Sequence, residues 1–338
     1  MLIDNLWKKG KDFLGVKYPI ISGGMTWISD FDLVKAVCDN GAFGVFAGGN
    51  MPPELFEKEL DKCIEGIDKP FGVNLITIAP NYRAQYEIVQ RKNVPFVIFA
   101  GNFPKQNDIL NMKKAGKKTL SFASGQAIAE RQIAFGIDGL ILEGSEAGGH
   151  IGYVSLIVLL QQVLFACRDF PIFVAGGLGM GRIMAHLLLM GAAGCQFGTL
   201  FVMTEECTAH ENFKKVFKRA RSREAIATPQ YDSKLPVVAV RALKNKAMEG
   251  FGLLQLELLK KLESGEISKE QAQFEVENYW VGSLRNAVID GDVEGGSLMA
   301  GQSVGLIDEI KPMKQVIEDL INDAEDEIKR VKGIISSL

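Results

Sequence analysis

The sequence predicts an α/β protein whose main body is a closed (β/α)8 TIM barrel. Through the first 200 residues, eight short apolar and β-branched runs alternate with longer amphipathic runs. Each amphipathic run is long enough for the helix of a right-handed crossover between parallel strands. The 338 residues can hold a barrel of roughly 250 residues with further elements. An open, doubly wound sheet usually needs fewer strands, so the closed barrel is favoured.

The eight predicted strands are short apolar runs, most of which begin or end at glycine. They are Tyr18–Gly23, Gly44–Gly48, Pro70–Thr77, Phe96–Gly101, Lys118–Ala123, Gly139–Gly144, Pro171–Gly176 and Gly194–Thr199. The sixth (GLILEG) and seventh (PIFVAG) read as nearly continuous apolar runs, which is typical of strands buried on both faces. The clearest helical patterns between strands are Asp30–Asn40, Pro52–Gly66, Gly125–Phe135 and Gly179–Met190.

The alternation of apolar and amphipathic runs ends after Thr199. Residues 205–282 read as mostly helical, with Gly252–Ser264 and Lys269–Tyr279 as the clearest helices. A glycine-rich link, Gly291–Ser297, leads towards a highly charged helix from about Met313 to Val331. We therefore expect a cofactor-binding barrel over residues 1–204. Residues 205–338 are expected to form a mostly helical insertion and C-terminal segment, packed over the barrel mouth and forming part of the substrate site.

Composition excludes several classes of protein. A net charge of −3 gives no basic footprint for a nucleic-acid partner. The N-terminus lacks the pattern of a signal peptide, and the apolar runs have strand length, so no membrane span is expected. The cysteines form no C-x-x-C pair, so we expect no metal site, and an odd, scattered set fits the reduced thiols of a cytoplasmic protein. They are Cys38, Cys63, Cys167, Cys195 and Cys207.

Unusual residues lie at the carboxyl ends of the predicted strands, where barrel enzymes carry their active sites. The turns after the seventh and eighth strands, Gly176-Gly177 and Gly198-Thr199, are the informative ones. Glycines there free backbone N–H groups that can hold a phosphate next to a helix N-terminus. Tight βα turns need glycine in any case, but two such turns at adjacent strands favour phosphate binding.

The three histidines have different predicted roles. His150 follows two glycines at the active face, so we expect it on a loop, where it can donate a proton or a hydrogen bond near neutral pH. His186 lies in a helical run and is interpreted as structural, whereas His210 can face either the site or solvent. Nearby, Glu143 and Glu146 are expected to form hydrogen bonds rather than an acid/base pair.

Asn74 is a polar residue on an otherwise apolar strand, so it needs a polar partner if it is buried. A bound heterocycle, a water molecule and a neighbouring side chain are alternatives. Met25 is either a core residue or one whose backbone lies against a flat ring.

Five motifs together resemble one family, the FMN-dependent barrel oxidoreductases that include nitronate monooxygenases and the FabK-type enoyl-acyl-carrier-protein reductases. The motifs are ISGGM at 21–25, PFGVN at 70–74, EGSEAGGHIG at 143–152, VAGGLG at 174–179 and QFGT at 196–199. EGSEAGGHIG is the most specific of them. Two C-terminal stretches look more like the FabK-type branch: PVVAVRALKNK at 236–246 and GSLRNAVIDGDVEGGSLMAGQSVGLI at 282–307.

The resemblance implies a role for each matching residue. Gly24 and Met25 lie near the flavin ring, Asn74 contacts the flavin, and His150 lies at the reacting end as the catalytic residue. The glycine turns hold the FMN phosphate, and the AGQS segment approaches the cofactor. The complete predicted cofactor-binding set is Gly23, Gly24, Met25, Asn74, Glu143, Ala147, Gly148, Gly149, Ala175, Gly176, Gly177, Gly198, Thr199, Gly301 and Gln302.

The activity implied by the resemblance is reduction of an enoyl thioester of fatty-acid synthesis, with NADH or NADPH as the source of hydride. The substrate is then a small molecule or is linked to acyl-carrier protein, and a homodimer is expected. The alternative within the family is oxidation of alkyl nitronates by dioxygen. The alternative outside the family is a barrel isomerase or lyase that binds a phosphorylated substrate. The chain departs from the FabK-type pattern at Phe99, in the fifth strand (KTLSFAS) and at Glu211, positions expected near nicotinamide or substrate.

Overall fold

Eight parallel strands form a barrel in the computed structural model, which describes residues 1–49, 51–235, 237 and 239–337, with only the backbone of Glu277 and Val281. Each barrel strand lies within its predicted range, so the predicted fold class is confirmed. In chain order these strands are β1 (Ile20–Ser22), β2 (Val45–Ala47), β3 (Gly72–Ile76), β4 (Phe96–Ala100), β5 (Lys118–Ala123), β6 (Gly139–Glu143), β8 (Ile172–Ala175) and β9 (Gly194–Phe197).

The strand order is β1-β9-β8-β6-β5-β4-β3-β2, and every pairing is parallel. Phe43, just before β2, joins the two edges of this sheet. Its N–H donates to the carbonyl of Ile20 (2.8 Å), and its carbonyl accepts from the N–H of Ser22 (2.9 Å). The sheet therefore closes on itself, and the carboxyl ends of all eight strands surround one mouth.

Helices follow the barrel strands and continue through the C-terminal half. They are α1 (Lys8–Leu14), α2 (Phe31–Asp39), α3 (Pro53–Gly66), α4 (Tyr82–Arg91), α5 (Gln106–Lys114), α6 (Gln126–Ala134), α7 (Leu156–Leu159, continued by a π-helical turn at Leu160–Leu164), α8 (Gly181–Leu189), α9 (Thr199–Val202), α10 (Glu211–Arg219), α11 (Lys246–Glu263), α12 (Lys269–Val288) and α13 (Met313–Ser336). Short 3-10 turns occupy Leu2–Asn5, Ser222–Glu224 and Gln302–Leu306.

The barrel strands carry two apolar layers because successive side chains point to opposite faces. Side chains such as Ile98 and Phe173 fill the barrel interior, whereas Val73 and Leu75 pack outwards against the helices. The same alternation puts the polar residue Asn74 inside, next to the mouth. The apolar filling of the barrel therefore ends where polar side chains begin, and this boundary is the floor of the site.

The second half of the chain is less uniformly helical than predicted. A small antiparallel sheet, β10 (Ala225–Ala227), β11 (Val240–Leu243) and β7 (Gly149–His150), joins it to the loop after β6. In addition, α11 begins before its predicted start at Gly252. Glycines inside α11 are accommodated because tyrosine hydroxyls pack against them: a Cβ on Gly250 would lie 2.8 Å from Oη of Tyr279.

The C-terminal helix α13 lies along α8 on the flank of the barrel, whereas a position over the mouth was predicted. Gly181 permits this close packing, since a Cβ there would lie 1.9 Å from the carbonyl oxygen of Leu320. The apolar stripe of α13, which includes Ile317 and Ile321, is buried. In the described part of the chain, no helix combines the length and apolar character needed to cross a bilayer.

An ion-pair cluster ties α13 to α8 and predicts acid sensitivity. The carboxylate of Glu327 accepts from Arg330 (2.6 Å) and lies 2.7 Å from Nε2 of His186, which agrees with the structural role expected for that histidine. Arg330, and then His186, lower the pKa of Glu327 to about 2 from 4.5.

Because the folded pKa is depressed, the stabilisation is present above about pH 4.5 and is lost as pH falls towards 2. We expect Glu327→Gln to lower the free energy of unfolding at pH 7 and to converge with wild type near pH 2. Denaturant unfolding of both proteins across this range checks the prediction, and a gap that persists at pH 2 would contradict it.

Candidate active site

A cavity of about 640 Å³ opens at the carboxyl ends of the barrel strands. His150 lines it, and so does every residue of the predicted cofactor-binding set except Gln302. The N–H of Gln302 instead donates to the carbonyl of Glu146 (2.9 Å) and begins a 3-10 turn. Residues far apart in the sequence therefore converge on one site, as the strand-end argument predicted.

Asn74 and Gly24 form one wall of the cavity and are in close contact. A Cβ on Gly24 would lie 2.7 Å from Cβ of Asn74, so only glycine fits there without displacing the amide. Asn74 is 2% exposed, and its Oδ1 has no hydrogen-bond partner among the described residues. Buried acceptors are almost always paired. Of the alternatives for Asn74, a neighbouring side chain is thus ruled out for Oδ1 within the described part of the chain, and the atom fits a ligand N–H.

The two predicted glycine turns follow the neighbouring strands β8 and β9, and both line the cavity. Gly176 and Gly177 have φ values of +96° and +72°, the left-handed region that favours glycine, and a Cβ on Gly176 would lie 2.9 Å from the carbonyl oxygen of Gly144. Thr199 begins α9, and its Oγ1 accepts from the N–H of Gly301 (3.0 Å). This arrangement gives a narrow, backbone-lined cradle that suits a phosphate group.

His150 lies on the two-residue strand β7, which corrects the prediction of a loop. It pairs with Val240, and the N–H of Ile151 donates to the carbonyl of Ala239 (2.8 Å). On the other side, Gly148 touches the backbone of the AGQS segment: a Cβ on Gly148 would lie 2.5 Å from the N atom of Gly301. Two segments of the C-terminal half therefore hold the histidine at the cavity.

The two glutamates near His150 have different surroundings. The carboxylate of Glu146 accepts from the N–H of Leu156 (3.0 Å) at the start of α7, which confirms its hydrogen-bonding role. Within the described residues, the carboxyl group of Glu143 has no such bond, and it lines the cavity. Burial raises the pKa of Glu143 to about 8. The group is therefore protonated at neutral pH and can donate a hydrogen bond into the cavity.

Arg241 ties the loop that carries Glu146 to the small sheet. Its Nε donates to the carbonyl of Ser145 (3.0 Å), and its Nη1 donates to that of Ala225 (2.6 Å). Arg241 belongs to the PVVAVRALKNK stretch, in which Pro236 and Val238 lie outside the described residues. From the sequence, this stretch serves only as a family marker, because its structural role depends on contacts between residues nearly 100 positions apart.

His210, left open between site and solvent, caps α10. Its Nδ1 accepts from the N–H of Asn212 (3.1 Å), and it is not among the cavity-lining residues. Among the described residues, no cluster of three or more His, Cys, Asp or Glu side chains is placed to hold a metal ion.

The cavity also has an apolar wall that the positions of the strand ends do not predict. Helix α12 contributes Trp280 and Leu284, the chain before β11 contributes Val237 and Ala239, and the chain after α12 contributes Met299. The loops after β4 and β6 contribute Phe103 and Tyr153. No local pattern separates these residues from ordinary core positions, because their role depends on which face of α12 meets the barrel.

The departures from the FabK-type pattern were expected near nicotinamide or substrate, and only the fifth strand meets that expectation. Phe122 on β5 lines the cavity. Phe99 points outwards into the helix-facing core, because its neighbours Ile98 and Ala100 take the inward positions on β4. Glu211 lies at the exposed start of α10, paired with Lys215 (3.0 Å).

Replacing Glu143 with glutamine is expected to remove a pH-dependent loss of stability. Glutamate in an unfolded chain ionises near pH 4.5, whereas Glu143 keeps its proton to about pH 8. The folded state thus binds more protons between these values, and stability falls as pH rises through this window. In protein freed of any bound cofactor, Glu143→Gln should raise the free energy of unfolding at pH 8 by about 4 kcal/mol relative to wild type.

The gain should be small at pH 4.5, where Glu143 is protonated in the folded state and only about half ionised in the unfolded chain. Denaturant unfolding at the two pH values measures it. An equal gain at both would show that packing, not ionisation, is responsible. Glu130→Gln, on the exposed face of α6, is the matched control, and its free energy of unfolding should not increase at either pH.

Comparisons with known proteins agree with this geometry. The family model for nitronate monooxygenase matches residues 8–84 and 76–323. FabK from Thermotoga maritima is 33% identical, with a TM-score of 0.84 over 96% of this chain and 98% of that one. A (3aS,4S,5R,7aS)-5-hydroxy-7a-methyl-1-oxo-octahydro-1H-indene-4-carboxyl-CoA dehydrogenase from Rhodococcus jostii is 29% identical over 96% of both chains. A probable nitronate monooxygenase from Staphylococcus aureus is 24% identical over 94% of this chain and 98% of its own.

The barrel and its glycine-lined mouth thus define an enzyme of the flavin oxidoreductase type. The chain belongs to the nitronate monooxygenase family, in which it lies with the FabK-like branch. The resemblance drawn from the five motifs is therefore confirmed, and the reading as a phosphate-gripping isomerase or lyase is not needed.

Proposed function

We propose that this protein binds FMN at the barrel mouth and uses NADH or NADPH to reduce the double bond of an α,β-unsaturated acyl thioester. The observation that carries the proposal is the composition of the cavity. A backbone-lined cradle and the unpaired Oδ1 of Asn74 share one space with His150 and an extended apolar wall. Such a space accommodates a flavin together with an acyl chain.

The residues present fit FMN. Oδ1 of Asn74 would accept a hydrogen bond from the ring system, and Glu143, protonated at neutral pH, would donate one. The turns at Gly176-Gly177 and Gly198-Thr199 would hold the phosphate. Bound FMN would supply hydride transfer between the nicotinamide and the β-carbon of the thioester.

The protein's own contribution centres on His150. Held by β11 on one side and the AGQS segment on the other, its imidazole is positioned to polarise the thioester carbonyl or to donate the proton that the α-carbon takes up. The apolar wall excludes water from the reacting bond. A carrier attached to the thioester, either coenzyme A or acyl-carrier protein, would leave through the open side of the cavity.

Two relatives support a thioester substrate. FabK gives its name to the enoyl-acyl-carrier-protein reductase branch that the C-terminal stretches resemble, and the Rhodococcus jostii enzyme is named for a carboxyl-CoA that carries hydroxyl and oxo groups. Nitronate oxidation is the second candidate, supported by the family model and by the Staphylococcus aureus relatives. Small alkyl nitronates would leave the apolar wall of α12 without a ligand contact, whereas an acyl chain would pack against it, so we favour the thioester.

Anaerobic mixing of the flavin-loaded protein with NADH or NADPH, followed by crotonyl-CoA, tests the proposal. We expect the flavin absorbance to be bleached by one nicotinamide and restored by the enoyl thioester. Butyryl-CoA, which lacks the double bond, is the control and should not restore the absorbance. Bleaching by an alkyl nitronate, but by neither nicotinamide, would overturn the proposal in favour of nitronate oxidation.

A further inference from the structure

Trp280 on α12 presents an unpaired hydrogen-bond donor in the apolar wall of the cavity. Its side chain lines the cavity and is 2% exposed. Nε1 is buried and has no hydrogen-bond partner among the described residues. An indole N–H can only donate, so no rearrangement of the group itself removes the deficit. Buried donors without an acceptor are rare in folded proteins, and this one adjoins a ligand-sized space.

The orientation of the Trp280 ring is set by aromatic packing. The ring centroid lies 4.4 Å from that of Phe251, and Tyr279 makes an edge-on contact at 5.5 Å. Tyr279 is itself anchored, because its hydroxyl donates to the carbonyl of Ala247 (2.5 Å). These contacts pack the indole on two sides and oppose a change in its orientation.

The other two tryptophans differ from Trp280 in the surroundings of the indole N–H. Trp7, equally buried, donates from Nε1 to Oδ1 of Asp4 (3.3 Å). Nε1 of Trp27 also has no hydrogen-bond partner among the described residues, but Trp27 does not line the cavity. The apolar wall that Trp280 shares is made of side chains without oxygen or nitrogen atoms, such as Val237, Leu284 and Met299. Among the described residues, no acceptor for Trp280 is therefore present in the wall.

We propose that Trp280 is a specificity-determining residue whose indole N–H donates a hydrogen bond to an oxygen atom on the acyl part of the substrate. The inference rests on the proposed function. The acyl part is the portion that lies against the apolar wall of the cavity, which includes Val237 and Trp280, since the hydrophilic carrier needs the open side of the cavity. The preferred substrate is thus an acyl thioester that carries a carbonyl or hydroxyl group beyond the thioester, rather than a plain hydrocarbon chain.

The first test observes the indole N–H directly in the wild-type, flavin-loaded protein. The chain has three tryptophans, so a ¹⁵N correlation spectrum of indole groups contains three signals. Saturated thioesters are the probes, because they bind without reacting: hexanoyl-CoA, 4-oxohexanoyl-CoA and 5-oxohexanoyl-CoA. We expect at least one oxo thioester to shift the Trp280 signal downfield relative to hexanoyl-CoA, with the signals of Trp7 and Trp27 unchanged. Equal spectra with all three probes would overturn the proposal.

The second test measures dissociation constants by titration calorimetry. Trp280→Phe keeps an aromatic ring against Phe251 but removes the donor. We expect it to weaken binding of the preferred oxo thioester by about five- to tenfold and to leave hexanoyl-CoA unchanged. Trp7→Phe removes a buried indole far from the cavity and should alter neither. A uniform weakening of all three probes by Trp280→Phe would mean that the ring acts by packing alone, and the proposal would fail.

The thioester function and the role of Trp280 can be overturned separately. If hexanoyl-CoA does not bind the wild-type protein, the thioester function is wrong, and the role of Trp280 falls with it. If hexanoyl-CoA binds and neither oxo group improves the affinity or moves the Trp280 signal, only the role of Trp280 is overturned.

Discussion

Replacing His150 with alanine is expected to lower kcat for reduction of crotonyl-CoA by about 10²- to 10⁴-fold, the usual contribution of a positioned general acid. The imidazole lines the cavity, whereas the backbone around it is held by β11 and by the AGQS segment. Losing the side chain should therefore leave the cavity walls and the bound flavin in place. Steady-state kinetics and flavin content, measured together, separate loss of chemistry from loss of cofactor.

His210→Ala is the matched control, because it removes an imidazole that caps α10 and does not line the cavity. Its kcat should equal that of the wild-type protein. If His150→Ala keeps its rate within threefold of wild type, the proton comes from another group or from water, and the role of His150 is wrong. If it loses both rate and flavin, the histidine is a binding residue rather than a catalytic one.

Replacing Gly148 with alanine is expected to cost the protein most of its bound flavin. The added methyl group would lie 2.5 Å from both the carbonyl carbon of Ala300 and the N atom of Gly301, and backbone cannot move aside as the end of a flexible side chain can. The AGQS segment and the strand that carries His150 must separate, and Gly301 then loses its hydrogen bond to Thr199. We expect at least a tenfold weaker dissociation constant for FMN and a loss of stability of about 1–3 kcal/mol.

Gly333→Ala provides the comparison, since it adds the same methyl group within α13 with no atom within 4 Å apart from its chain neighbours and the backbone of the helix itself. This variant should bind FMN normally and should be slightly more stable, because alanine favours a helix more than glycine does. Fluorescence titration of FMN and thermal unfolding check both variants. Normal FMN binding by Gly148→Ala would show that the contact between the two segments is not needed to shape the cradle.

The barrel and its cofactor cradle could be predicted from the sequence because their signals are local. Runs such as Pro171–Gly176 combine the apolar character of a strand with the glycine of the turn that follows, so strand, turn and mouth can all be read within a few residues. Since parallel strands in a barrel end at the same edge, locating the strand ends also located the cavity. That is why the sequence assigns Asn74 and Gly176, about 100 positions apart, to one site.

What the tertiary structure alone decided is how the second half of the chain meets this mouth. His150 was predicted in a loop because Gly149-His150 is too short to signal a strand, and it becomes one only by pairing with Val240 about 90 positions later. Trp280 reads as one more apolar position in an amphipathic helix, and α13 was placed over the mouth although it packs on the flank.

The physical reason is the same in each case. Periodicity reports that a face is buried, but not against what. The packing that brings α12 to the cavity and α13 to α8 depends on the shapes of distant surfaces, such as the bare backbone at Gly181. The sequence by itself therefore determined the scaffold and the glycine-lined side of the cavity, and tertiary packing determined its apolar wall.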